Sequence, residues 1–170
     1  MNVDTYFANH WQPNYDQYKY TGWALLDLID KDHTVLDVGC GFNLFKKHLP
    51  NLHGFDPAID AADELVSLEE FDANGKQWDV ILCLGSVNFG SQEIIEQQLE
   101  KIASFCKSGT TVYWRQNPGR KDHKSNHCFK IDFFKWSFEK NYELAEKFNF
   151  TVQECKWDNN NRIYAVWKYT

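Results

Sequence analysis

The stretch Thr34-Val-Leu-Asp-Val-Gly-Cys-Gly-Phe-Asn-Leu-Phe-Lys-Lys-His48 runs from a short apolar segment through two glycines into a helix-forming one. Val35 to Val38 is apolar apart from Asp37, which suits a buried strand. Gly39 lets the chain turn sharply, and Gly41 lets the backbone approach a bound molecule with no Cβ in the way. A Gly-x-Gly-x-Gly loop would have a third glycine where Asn43 stands. Asn tolerates the left-handed backbone region and can open a helix.

Outward from this loop the chain alternates strand and helix. A second strand, Leu52 to Phe55, ends in Asp56-Pro57, and a crossover too short for a full helix leads to a third strand near Leu65 to Leu68. Asp79 to Leu84 reads as a central parallel strand covered on both faces. A helix over Gln92 to Phe105, a turn at Ser108-Gly109 and a strand over Thr111 to Arg115 follow. Beyond a loop from Gln116 to about Phe129 come a helix over Phe138 to Phe148 and strands over Phe150 to Trp157 and Arg162 to Tyr169, joined by Asp158-Asn-Asn-Asn161. That last spacing predicts an antiparallel hairpin. Upstream, Thr21 to Ile29 reads as a short helix. The expected fold is α/β, a doubly wound, mostly parallel seven-stranded sheet closed by a C-terminal antiparallel hairpin.

At 170 residues the chain is expected to form one domain, 1–170, with an aromatic N-terminal segment at 1–24 and a core at 25–170. There is no length for a separate substrate domain, so loops and the terminal segment must hold any substrate. The net charge of -6 argues against general nucleic-acid binding. The five cysteines, none in Cys-x-x-Cys spacing, argue against a disulfide scaffold or zinc ribbon. His123-x-x-x-His127-Cys128 has no second cluster to complete a metal site, so no metal is expected. With no apolar run of transmembrane length and no N-terminal signal pattern, a cytoplasmic protein without membrane attachment is expected.

In an open α/β sheet, ligands sit beyond the carboxyl ends of the strands where strand order reverses, the place of Gly39-Cys40-Gly41. Asp56, 17 residues after Gly39, ends the second strand, where a carboxylate can accept the hydroxyls of a ribose. Those two features suit NAD and S-adenosylmethionine alike. Asp37 separates them, because a carboxylate there opposes a pyrophosphate but favours the ammonium of a methionine moiety. The missing third glycine and the closing hairpin also count against a nicotinamide-dependent oxidoreductase.

Val35-Leu-Asp-Val-Gly-Cys-Gly41, Leu52-His-Gly-Phe-Asp-Pro57, Trp78-Asp-Val-Ile-Leu-Cys83 and Cys106-Lys-Ser-Gly-Thr110 together resemble the class I S-adenosylmethionine-dependent methyltransferases, over about Leu25 to Thr170 in element order. The resemblance implies a cofactor site with Asp37, Gly39, Cys40 and Gly41 around the methionine part and Asp56 on the ribose. It places Pro57 and Ala58 beside the adenine, and Leu68 and Glu69 at its edge, with Ser67 or Asp72 as alternatives across the shortened crossover. Leu84, Gly85 and Ser86 would line the cofactor from beneath. The implied activity is direct methyl displacement from S-adenosylmethionine onto a small acceptor. The alternative is a non-catalytic protein that binds S-adenosylmethionine or S-adenosylhomocysteine as a sensor or partner subunit; product formation from labelled cofactor separates the two.

The segment after the fourth strand, Leu84-Gly-Ser-Val-Asn-Phe-Gly90, lacks the Asn-Pro-Pro-Tyr or Asp-Pro-Pro-Tyr motif that similar enzymes use on the amino groups of bases and glutamine. Arg115, Arg120 and Lys121 begin a basic loop at the same sheet edge and are expected to recognise an anionic group. His123, Ser86 and Asn88 are the catalytic candidates. Tyr6, Trp11, Tyr15 and Tyr18 are expected to fold over the cofactor as a lid, with Tyr15 and Tyr18 also facing the substrate.

Overall fold

The computed structural model describes residues 3–9, 11–120 and 131–170. Its strands are β1 (Val35–Val38), β2 (Leu52–Asp56), β3 (Glu64–Leu65), β4 (Trp78–Leu84), β5 (Cys106–Gln116), β6 (Phe150–Asp158) and β7 (Arg162–Tyr169). The α-helices are α1 (Val3–Asn9), α2 (Gln92–Ser104) and α3 (Phe138–Lys147). The strands form one seven-stranded sheet in the order β3-β2-β1-β4-β5-β7-β6. β1 to β5 pair in parallel. β7 runs antiparallel between β5 and β6, so the closing hairpin expected from sequence is present. Strand order reverses between β1 and β4, which puts the switch point at the glycine loop.

The helices start where the sequence supplies caps. The Ser91 and Ser137 side chains accept hydrogen bonds from Ile94 N and Lys140 N, satisfying otherwise free amides at the starts of α2 and α3. α2 buries Ile95, Leu99 and Ile102 and α3 buries Leu144 and Ala145, all against one sheet face formed by Leu36, Val38, Ile81, Trp114 and Trp167. The opposite face, Val35, Val80, Leu82, Tyr113 and Tyr164, is covered by Leu25, Ile29, Phe45 and Leu49, with Tyr15, Tyr20 and Trp23 packed beside them.

Among the described residues no α-helix covers that second face. The helix expected over Thr21 to Ile29 is a 3-10 turn at Trp23–Asp27, and the one after the glycine loop is a 3-10 turn at Leu44–Lys47. Asn43 in the left-handed region (φ 58°) and Pro50 leave too few residues between them for a regular helix. β3 has only two residues: Val66 N still donates to Asp56 O (3.0 Å), but Leu68 and Phe71 then turn into the core. β5 starts earlier than expected, because a bulge absorbs Lys107 to Thr110 while Thr110 Oγ1 donates to Trp78 O (2.6 Å).

The N-terminal segment is anchored at the turn between β6 and β7. Lys19 N donates to Asn159 Oδ1 (2.6 Å), Tyr20 N to Asp158 Oδ1 (3.2 Å) and Thr21 Oγ1 to Asp158 Oδ2 (2.6 Å). Packing is continuous from Tyr15 to Ile29, across the boundary at residue 24. Among the described residues no helix is long and apolar enough to cross a membrane.

Candidate functional site

A cleft of about 1240 Å³ opens at the carboxyl ends of β1, β2 and β4. Gly39, Asp56, Pro57, Ala58, Leu68, Glu69, Leu84, Gly85 and Ser86 line it, together with Ser67. The structure thus gathers nine of the twelve residues expected to bind the cofactor around one cavity, whereas Asp37, Cys40 and Gly41 are not among its lining residues.

Local geometry explains the glycine loop. Gly39 has φ +67°, and a Cβ there would lie 2.4 Å from Ser86 Cβ, so both conformation and space require glycine. Cys40 N donates to Phe55 O (3.0 Å) and Asn43 N to Cys40 O (2.9 Å), which closes the turn against β2. Gly41 also has positive φ (+56°), and the Trp11 ring occupies the space its Cβ would take. Trp11 in turn stacks on Phe42 at 5.8 Å. Asn43, where a third glycine would be, uses its amide to hold the loop to Ala61 O and Asp63 Oδ2 (both 3.4 Å).

Asp56 is largely occupied. Oδ2 accepts from Gly41 N (2.9 Å), and Oδ1 accepts from Ala58 N (2.8 Å) and Ile59 N (2.9 Å). A carboxylate offers about four acceptor positions, so the remaining capacity for a ribose hydroxyl is on Oδ2. The sequence-based expectation that both oxygens face a ribose does not match this bonding.

Asp37 behaves differently. Its neighbours Leu36 and Val38 belong to the face under α2 and α3, so strand alternation turns its side chain towards the other face. It is 3% exposed, and among the described residues it has no hydrogen bond or ion pair. Burial, then the nearby Asp56 carboxylate, raises its pKa from 3.8 to about 7. Cys40 lies near it, and burial, followed by repulsion from Asp37, Asp56 and Asp63, pushes the thiol well up, so Cys40 is no thiolate nucleophile. The Tyr15 hydroxyl is raised in the same way, first by burial and then by Asp37.

Two further buried polar atoms point to a missing partner. Ser86 Oγ and Gln98 Oε1 are buried without a hydrogen bond, and both residues line the cleft. Gln98 Nε2 donates to Glu69 Oε1 (2.7 Å) and Lys101 Nζ to Glu69 O (2.6 Å), so α2 fixes the segment after β3. Sequence reasoning missed Gln98. The available signal was a polar residue four positions after Ile94, beside the apolar stripe of α2.

Arg115 is engaged within the protein rather than free for an anionic ligand. Arg115 Nη1 donates to Asp158 Oδ2 (2.8 Å) and Thr21 Oγ1 (3.0 Å), and Nη2 donates to Asn159 O (3.1 Å). Its guanidinium carbon lies 4.1 Å from the centre of the Tyr18 ring. Although Arg115 lines the cleft, its charge is matched by a carboxylate whose side chain is fully buried, so it locks the N-terminal segment to the β6–β7 turn. Arg120 lies outside the cleft, in a shallow depression with Pro118, Trp157 and Asn161. Lys121, His123, His127 and Cys128 lie outside the described residues. Among the described residues no group of three metal-ligating side chains occurs.

Of the lid residues, Tyr6 and Trp11 line the cleft, and Tyr6 packs on Ile131 and Phe133 beside Phe7 and Phe89. Tyr15 also borders the cleft but is stacked on Phe45 (5.0 Å) as part of the core. Tyr18 lines the cleft too, with the Arg115 guanidinium over its ring. Asn88, a catalytic candidate, lines the cleft and is 5% exposed.

No family model matches the chain. No curated protein matches it either. Solved structures do match. Magnesium protoporphyrin IX methyltransferase from Synechocystis PCC 6803, with bound S-adenosylmethionine, superimposes with TM-score 0.69 at 12% identity, covering 99% of this chain and 95% of that one. A Haloferax volcanii chain solved in complex with the Trm112 methyltransferase activator gives TM-score 0.70 at 16% identity over 90% of each chain. Burkholderia thailandensis 1,6-didemethyltoxoflavin-N1-methyltransferase, solved with 1,6-didemethyltoxoflavin and S-adenosylhomocysteine, gives TM-score 0.64 at 13% identity over 81% of this chain and 71% of that one. At these identities the likeness concerns the fold, and with its strand order, closing hairpin and glycine-loop cleft the chain has the fold of the class I S-adenosylmethionine-dependent methyltransferases.

Proposed function

We propose that the chain is a methyltransferase that takes its methyl group from S-adenosylmethionine and passes it to a small acceptor held in the same cleft. The observation that carries this reading is Asp37: a carboxylate 3% exposed, without a partner, at the end of the strand that feeds the glycine loop. A buried, unpaired carboxylate is costly unless something compensates it, and a cationic ligand group is the natural compensation. An ammonium fits, whereas a pyrophosphate does not. Ser86 Oγ and Gln98 Oε1, both buried and unbonded, fit the same conclusion that a polar ligand completes the cleft.

In this reading Asp37 holds the ammonium, Asp56 Oδ2 takes one ribose hydroxyl, and Pro57, Ala58, Leu68 and Glu69 flank the adenine. The bound cofactor supplies a methyl group on an electrophilic sulfonium. The chain contributes alignment and exclusion of water, and for a direct displacement positioning supplies much of the rate. The Gly39–Ser86 contact fixes the end of β4 against the glycine loop, and α1 with Trp11 covers the cleft from the N-terminal side. Of the catalytic candidates among the described residues, neither Asn88 nor Ser86 removes protons readily at neutral pH, so an acceptor served by these two alone must be nucleophilic without a strong base.

The test is incubation of the protein with methyl-tritiated S-adenosylmethionine and fractionated small-molecule extracts. Acceptor-dependent transfer of label with release of S-adenosylhomocysteine is expected. Binding of cofactor with no transfer to any fraction would turn the reading to the non-catalytic binder, and absence of cofactor binding would remove both.

A further inference from the structure

The cleft has two chemically distinct ends. The end next to Gly39 and Asp56 carries the polar groups assigned above to the cofactor. The other end is aromatic: Tyr6, Phe7, Trp11, Phe89 and Phe133 line it. Their rings meet edge to face or tilted, with centroids 5.2 Å apart for Tyr6–Phe7, 5.6 Å for Phe7–Phe89 and 5.3 Å for Phe89–Phe133. Such a surface offers both ring faces and ring edges to a planar guest. It is fixed by backbone bonds, Phe134 N to Asn88 O and Gly90 N to Asp132 O, both 2.8 Å.

Asn88 stands at the junction of the two ends. Its Oδ1 accepts from Asn117 N (3.0 Å). A backbone N–H can only donate, so this bond fixes the amide orientation and directs the NH2 group elsewhere. Among the described residues nothing accepts from Nδ2, which lies beside Gly85. The charges complete the picture. Asp4 and Asp132 line the aromatic end, Arg115 is bound to Asp158, and Arg162 Nη1 donates to Asn160 O. Among the described residues, an anionic guest at the aromatic end would meet these two carboxylates, and the only Lys or Arg side chains that line the cleft are Arg115 and Arg162.

We propose, resting on the methyl-transfer reading of this cleft, that the acceptor is a flat aromatic molecule without an anionic group, gripped by these rings and oriented by a hydrogen bond from Asn88 Nδ2 to one of its oxygen or nitrogen atoms. It differs from the anionic acceptor expected from Arg115, Arg120 and Lys121, of which Lys121 lies outside the described residues.

The test uses fluorine NMR titration of full-length protein saturated with S-adenosylhomocysteine, with 6-fluoroquinoline and 6-fluoroquinoline-4-carboxylate as probes. The neutral probe is expected to bind and the carboxylate to bind at least ~10-fold more weakly. Phe133→Ala and Asn88→Ala should each weaken the neutral probe about 10-fold, the scale of one lost hydrogen bond or ring contact. Calorimetry with S-adenosylhomocysteine on each variant shows that it is folded, and Phe133→Leu replaces Phe133→Ala if the latter is not. Equal or tighter binding of the carboxylate, no binding of the quinoline to the loaded protein, or unaltered binding by both variants would overturn the proposal. Failure of the wild type to bind S-adenosylhomocysteine would instead overturn the methyl-transfer reading itself.

Discussion

Replacing Asp37 by Asn should make the ligand-free protein more stable and the cofactor site worse. Asp37 is buried and unpartnered, and its pKa rises from 3.8 to about 7, chiefly through burial. A shift of that size corresponds to about 4 kcal/mol between the protonated and ionised forms. Because the folded-state pKa lies above the unfolded one, the folded protein holds the extra proton between pH 3.8 and about 7. Stability from this group is therefore full below that window and is lost as pH rises through it. Asn removes the ionisation but leaves a buried amide short of partners, at about 1–3 kcal/mol. The net expectation for Asp37→Asn is a gain of about 1–3 kcal/mol at pH 8.5 and a small loss at pH 5, where the wild-type carboxyl is already neutral. Urea denaturation at the two pH values measures it. In parallel, affinity for S-adenosylmethionine should fall at least ~10-fold, about 1.4 kcal/mol, and wild-type affinity should strengthen as pH rises through about 7. A stability difference independent of pH, or full cofactor affinity in the variant, would refute the reasoning.

Arg115→Ala strands the Asp158 carboxylate and should cost about 3–5 kcal/mol of stability, whereas Arg115→Met with Asp158→Leu should cost much less; thermal unfolding compares them. Gly39→Ala adds a Cβ 2.4 Å from Ser86 Cβ at a positive φ, and calorimetry should show S-adenosylhomocysteine binding abolished. Removing residues 1–9 should leave the fold intact by circular dichroism while weakening binding at the aromatic end. Truncation to Gly22 also strips Tyr15 and Tyr20 from the core and should lower the melting temperature sharply. On the acid side, Lys107 and then Thr34 hold the Asp79 pKa down to about 2, so its contribution is present above 3.8 and is lost as pH falls towards 2. Lys107→Met should flatten that part of the acid denaturation curve.

The strands of the sheet were legible wherever local pattern decides structure. The run Val80 to Leu84 could only be a buried strand, and the alternation on either side of Asp158 to Asn161 announced the hairpin. The glycine loop, Asp56 and the residues ending β4 were legible because they are strand ends at a switch point, where order along the chain nearly fixes position in space. The 3-10 turns were misread as helices because apolar spacing over five or six residues does not distinguish the two. Arg115 was misassigned for a different reason. Its partner Asp158 is 43 residues away, and whether a basic side chain faces a ligand or a buried carboxylate depends on a contact that no local pattern encodes. The same holds for the aromatic end, which is assembled from α1, the loop after β4 and the residues preceding α3. Asp37 is the converse: a charged group inside an apolar strand requires a partner, and among the described residues it has none.

The most direct test of the central claim is calorimetric titration of S-adenosylhomocysteine and of NADH into the same protein at pH 8. One-to-one binding of S-adenosylhomocysteine in the micromolar range, about −8 kcal/mol, with no heat from NADH, is the expected result. Binding of NADH with none of S-adenosylhomocysteine, or of neither, would contradict it.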